Sequence, residues 1–158
     1  MDPTADEVAG IVDLFGGLTR SELERALEEA AFRAGGETVD ATALEGTIEG
    51  ALESFALVRY ERDDPGSEPL LVAGPTAFPT VPEHAADVPH ILDVDRRRLD
   101  RDALGEAVSD RFTDAVSDAV EAGDDQRRRQ LLEVSYDLEA WAPLDLTAQR
   151  RRLEETLE

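Results

Sequence analysis

Between Ala56 and Ala73 the hydrophobic pattern changes period, and this change does most to limit the fold. The segments ALVRYER (56–62) and PLLVA (69–73) are rich in β-branched, aromatic and aliphatic residues. The cluster DDPGSE between them consists largely of turn formers, so the stretch predicts a β-hairpin. On either side the apolar residues recur at helical spacing. The chain is therefore expected to be mainly α with one small β-hairpin.

Three helices are expected before the hairpin. The first spans 3–15, with Asp2 as N-cap, Pro3 at the first helical position and Val8, Ile11, Val12 and Phe15 as its apolar stripe. Gly16 and Gly17 end it. The second, from Arg20 to Ala34, has the clearest start in the chain: Thr19 and Glu22 form a capping box, and Leu18 and Leu23 sit at the two positions of a hydrophobic staple. Its inward residues are Leu23, Ala26, Leu27, Ala30 and Ala34, and Gly35 and Gly36 stop it. Thr38 and Val39 could form one short strand. Asp40 then caps a third helix from Ala41 to about Ser54, with Leu44, Ile48, Ala51, Leu52 and Phe55 apolar.

After the hairpin, Pro75, Pro79, Pro82 and Pro89 exclude a persistent helix or central strand, so 75–95 reads as an extended connector that Phe78 and Val81 tack onto a neighbouring surface. Asp100 caps a long helix to about Ala122, stopped by Gly123. Asp124 begins another, running to Trp141, which Pro143 breaks, and Thr147 opens a last helix carrying Leu153 and Leu157. Tyr136 and Trp141, five residues apart, do not share one helical face; both are expected in the core, with one core and one exposed as the alternative.

Three helices and a hairpin over 1–74 resemble a winged helix. The order departs from the usual one, because the short strand falls between the second and third helices instead of after the first. The expected organisation is thus a winged-helix-like part (1–74), the connector (75–95), and a helical part (96–158) packed on the first.

Charge bears on environment and partners. The chain of 158 residues carries 37 Asp and Glu against 16 basic residues, a net charge of -21, and every basic residue is Arg; Lys, Asn and Cys are absent. In molar KCl the Debye length falls to roughly 1.5 Å by square-root scaling, which removes most of the self-repulsion such a chain suffers in dilute buffer. The expectation is a halophilic cytoplasm. Without Cys there are no disulfides or thiolate metal sites. The first residues lack a basic region followed by an apolar stretch, and no window approaches 18 continuous apolar residues, so neither export nor membrane insertion is expected.

No catalytic, cofactor-binding or metal-ligating set stands out. Both Gly pairs follow helices, the opposite of a phosphate cradle. His84 and His90 lie near Glu83, Asp87 and Asp93, but their spacing on an irregular segment imposes no coordination geometry, so no metal is expected. Eleven of the 16 Arg lie after residue 90, including three triplets: Arg96, Arg97 and Arg98; Arg127, Arg128 and Arg129; Arg150, Arg151 and Arg152. If they converge, they form a patch for phosphate or an acidic partner surface. If they disperse, they make local pairs such as Arg150 with Glu154 and Arg151 with Glu155.

A DNA-reading third helix needs exposed basic or amide side chains, yet this one carries Glu45, Glu49 and Glu53 along one face and no base. A DNA-contacting alternative therefore falls to Arg59 and Arg62 in the hairpin or to the triplets.

The stretches FALVRY, GPTAFPTVP, PHILDV and SYDLEAWAPLD, in this order, resemble a family of short uncharacterised haloarchaeal proteins. The resemblance implies a cytoplasmic haloarchaeal protein and carries over no activity and no site residue. The reading that follows is a non-enzymatic regulatory or scaffold protein acting on a protein partner. An acidic winged-helix transcription regulator is the alternative, and a hydrolase using carboxylates or the histidines is a further one.

Overall fold

The computed structural model describes residues 3–33, 35–36, 38–62, 66–80, 88, 92 and 96–155. Its described elements are α1 (Ala5–Phe15), α2 (Arg20–Arg33), α3 (Ala41–Glu53), β1 (Leu57–Tyr60), β2 (Leu70–Ala73), α4 (Arg101–Ala122), α5 (Asp125–Trp141) and α6 (Thr147–Glu154). The chain is mainly helical, with one antiparallel two-stranded hairpin among the described residues. It divides into two compact units, Met1–Leu99 and Asp100–Glu158.

In the first unit the amphipathic stripes of α1, α2 and α3 close on one another and on the hairpin. Val8, Ile11, Val12 and Phe15 of α1, Leu23 and Leu27 of α2, and Leu44 and Ile48 of α3 are all buried with Leu57 and Leu71. The start of α1 differs from expectation: Thr4 is the N-cap, and it exchanges capping-box hydrogen bonds with Glu7. The α2 start is as expected, with Thr19 Oγ1 accepting from the Glu22 N–H at 3.2 Å and Glu22 Oε1 accepting from the Thr19 N–H at 2.9 Å. Ala34, expected to extend α2, lies outside the described residues.

Thr38 and Val39 form no strand. The residue that joins the hairpin is Leu18, after α1: it makes a two-way antiparallel bridge with Leu71 of β2, N···O 3.0 and 2.7 Å. The extended piece thus falls between the first and second helices. The hairpin pairs Leu57 with Ala73, Val58 with Val72, Arg59 with Leu71 and Tyr60 with Leu70. Phe55 links α3 to β1 at φ 65°, the left-handed region that a bulky residue enters only when its surroundings fix it. Its ring is buried, and its carbonyl accepts from the Thr76 N–H.

The described ends of the Pro-rich segment are fixed by backbone. The Thr80 N–H donates to the Asp6 carbonyl, the Phe78 N–H to Asp6 Oδ1, and the Arg97 N–H to the Phe15 carbonyl. Gly10 has no Cβ, and the Thr80 carbonyl takes that place. The Phe78 ring holds nothing down, since it is 80% exposed; Val81 lies outside the described residues.

The second unit is α4, α5 and α6 around Leu104, Val108, Phe112, Val116, Leu131, Leu138, Leu146 and Leu153. Asp100 and Asp124 cap α4 and α5, and Gly123, at φ 65°, ends α4 in the left-handed cap that glycine favours. Gly105 allows a close approach: a Cβ there would meet Ala142 Cβ at 2.9 Å. Leu157 lies outside the described residues. Among the described residues no helix is long and apolar enough to cross a membrane.

Candidate functional site

Each Arg triplet contributes at least one side chain to structure. In the first unit, Arg97 donates to both oxygens of Glu22 (2.8 and 3.1 Å) and to the Gly17 carbonyl at 2.9 Å, tying residue 97 to the α2 capping box. Burial pushes the Glu22 carboxyl up, but hydrogen bonds from Arg97 and Thr19 outweigh it, and the group lies below the ordinary carboxylate value. Arg96 and Arg98 are exposed.

The other two triplets meet inside the second unit. Arg128, only 3% exposed, donates through Nη2 to the Leu153 carbonyl at 2.9 Å and, more weakly, to the Arg152 carbonyl at 3.4 Å, closing the C-terminal end of α6. Arg150 pairs with Glu139 through two short bonds (2.7 and 3.1 Å) and lies 4.7 Å from the Tyr136 ring centre. These bonds and the Leu146 N–H depress the Glu139 carboxyl, while Glu139 raises Arg150. The expected pair of Arg150 with Glu154 is replaced by this contact, because the tertiary fold brings a better-placed carboxylate from α5. Arg152 reaches Ser117 Oγ at 3.0 Å, and Arg127 donates to Gln130 at 2.7 Å. Arg129 and Arg151 are exposed.

Both large aromatics of α5 are misplaced by the core expectation. Tyr136 is 59% exposed, covered on one face by Arg150, and Trp141 is half-buried under the Arg101 guanidinium at 4.2 Å.

In the hairpin, Arg62 donates to the Glu68 carbonyl from Nε (3.3 Å) and Nη2 (3.0 Å), so it braces the turn. Arg59 is exposed and makes no ion pair or hydrogen bond among the described residues. Glu45, Glu49 and Glu53 all lie on the exposed side of α3, as their spacing predicts. Glu45 is paired with Arg20 (3.1 Å), which holds the Glu45 carboxyl down and raises Arg20.

Two features escaped sequence reasoning. Between α3, the start of α2 and the hairpin lies a cleft of about 290 Å³, lined by Ile48, Leu71, Pro69, Arg20, Arg59 and Glu68. A second cleft, of about 520 Å³, has Phe32, Val39 and Leu92 among its lining residues, and Phe32 is 70% exposed. A large apolar residue off the buried stripe of α2 was the available signal for the second; the first depends on pairing distant in sequence.

His84 and His90 lie outside the described residues. Among the described residues no three His, Cys, Asp or Glu side chains form a metal-holding group.

This geometry defines a small, mainly helical protein of two units, with an acidic helix and a cleft beside the hairpin. More particularly, the chain belongs to a family of unknown function, DUF7109, whose pattern spans residues 6–158. No curated protein and no solved structure matches it.

Proposed function

We propose that this chain is a non-enzymatic regulatory or scaffold protein that works through protein–protein contacts in a halophilic, haloarchaeal-type cytoplasm, on a winged-helix-like first unit. The order helix, Leu18 bridge, helix, helix, hairpin supports the winged-helix likeness, because the extended residue follows the first helix as in that fold.

The observation that carries the reading is the outward face of α3. In the position where a DNA-reading helix offers bases and amides, this one offers Glu45, Glu49 and Glu53. Arg20, which pairs with this face, is held by Glu45 and Glu24. Carboxylates there repel phosphate and favour a cationic protein surface.

The alternative, DNA contact through the hairpin, rests on Arg59, exposed and with no ion pair among the described residues; Arg62 is committed to Glu68. Isolation of the tagged chain from native extract in molar KCl separates the two. A protein partner retained after nuclease treatment is the expected result. Recovery of nucleic acid alone, lost on Arg59→Gln, would transfer the function to the alternative.

A further inference from the structure

The cleft between α3, the start of α2 and the hairpin lies wholly within the first unit. Its floor is apolar, Ile48 from α3 and Leu71 from β2, with Pro69 as one wall. Arg59 stands opposite Leu71 in the strand register, so the two side chains leave the same face of the hairpin. At about 290 Å³ the cleft is at the small end of ligand sites and matches a metabolite the size of one amino acid.

Three charged side chains line it, Arg20, Arg59 and Glu68. Arg20 is already neutralised, by Glu24 at 3.5 Å and Glu45 at 3.1 Å. Arg59 and Glu68 differ from it: both are exposed, and neither makes an ion pair among the described residues, with the other or with a third group. Glu68 is nonetheless held in place. Its Oε2 accepts from Ser21 Oγ at 3.1 Å, and its carbonyl accepts from Arg62 at 3.0 and 3.3 Å. A carboxylate fixed in this way loses little further freedom when a ligand arrives. The cleft therefore offers a cation and an anion, apart from each other, beside an apolar floor.

We infer that the cleft binds a free apolar α-amino acid, its carboxylate on Arg59, its ammonium on Glu68 and its side chain against Ile48, Leu71 and Pro69. A simple anion would bring like charge to Glu68, and a simple amine would do the same at Arg59; a zwitterion meets both. The two charges are exposed and screened by salt, so they orient and select the ligand. Affinity comes from the apolar contact and stays on the order of millimolar. Because α2, α3 and both strands contribute to the cleft, a bound amino acid braces the hairpin against the helices and lets the first unit respond to amino-acid supply. This site goes beyond the protein-contact reading and does not depend on it.

The test is amide NMR of the full chain in molar KCl, titrated with L-leucine, L-valine and L-phenylalanine. At least one should give saturable shifts at millimolar concentration, confined to amides around the cleft such as those of Ile48, Arg59 and Leu71 and absent from α4. For that ligand, the N-acetyl derivative lacks the ammonium and the amide derivative lacks the carboxylate. Each should bind about threefold more weakly, the middle of the range for one exposed pair. Glu68→Gln should abolish only the preference over the N-acetyl derivative, and Arg59→Gln only the preference over the amide. No saturable shift from any of the three, shifts spread over both units, or derivatives that bind as well as the free amino acid would overturn the inference. Tighter binding of the N-acetyl derivative would assign the cleft to simple carboxylates, and tighter binding of the amide would assign it to amines; either result overturns the inference too.

Discussion

The first unit is closed by apolar stripes on every helix, whereas the second relies on guanidinium groups where its apolar surface runs out. In Met1–Leu99, α1, α2, α3 and both strands each bury aliphatic or aromatic side chains, and the part-buried pair of Arg97 with Glu22 adds a tie at the edge of that core. In Asp100–Glu158 the short α6 contributes one buried residue, Leu153, and is held through Arg128 at its C-terminal end, Arg150 on Glu139 and Arg152 on Ser117. An arginine triplet that looks like a binding patch can therefore be structural cement. In a chain this acidic, each such guanidinium also removes a local excess of negative charge.

The largest expected effect belongs to the aliphatic core. Leu27→Ala, at a fully buried position, should cost about 2–5 kcal/mol and should loosen the first unit, read as faster amide exchange across α1, α2 and α3. An effect below about 1 kcal/mol would mean that the stripes are not what holds this unit together.

Arg128→Met comes next. It removes charged hydrogen bonds to the Leu153 and Arg152 carbonyls, so the second unit should lose about 2–3 kcal/mol, with α6 fraying first in amide exchange. An unchanged α6 would show that Leu153 packing suffices, and the contrast between the units would dissolve.

Salt should act more on the second unit. Asp102, Glu106, Asp110, Asp114 and Asp118 follow one another at intervals of four along α4, and all are exposed. Four like-charge neighbours at that spacing cost about 1–2 kcal/mol together in dilute buffer, and screening removes most of it. Transfer from molar KCl to dilute buffer should melt α4 before α2, observed residue by residue in amide exchange. Simultaneous loss of both would remove the distinction.

The smallest effect is at the α5–α6 pair. Glu139→Gln should cost the second unit about 1 kcal/mol near neutral pH. The folded chain depresses the Glu139 carboxyl, so the unfolded chain binds its proton more readily. Its contribution is present above the ordinary value of 4.5 and is lost as pH falls through the lower folded value. Acid titration of wild type and Glu139→Gln should therefore converge below that range.

Much of this fold was legible from short-range signals. The capping box at Thr19 and Glu22, the Asp40, Asp100 and Asp124 caps, and the change of period at the hairpin all involve residues close in sequence, where spacing alone fixes geometry. The Thr4–Glu7 box had the same signature, but Pro3 at a first helical position pointed to an earlier start, and the side-chain bonds of Thr4 prevailed. The Leu18 bridge was illegible because a single extended residue has no period, and its partner, Leu71, is distant along the chain. For the site, the exposed Glu row on α3 could be read from a spacing of four. The choice of Glu139 over Glu154 by Arg150 could not, since a local pairing rule does not see another helix arriving.

The most direct test of the central claim, that α3 presents a protein-docking face and does not read DNA, is in-cell formaldehyde cross-linking followed by sequencing of the DNA bound to the tagged chain. The account predicts no enriched genomic sites, with protein adducts that fall when Glu45, Glu49 and Glu53 become Gln. Sharply enriched sites that vanish with Arg59→Gln, and persist through the Glu replacements, would contradict it.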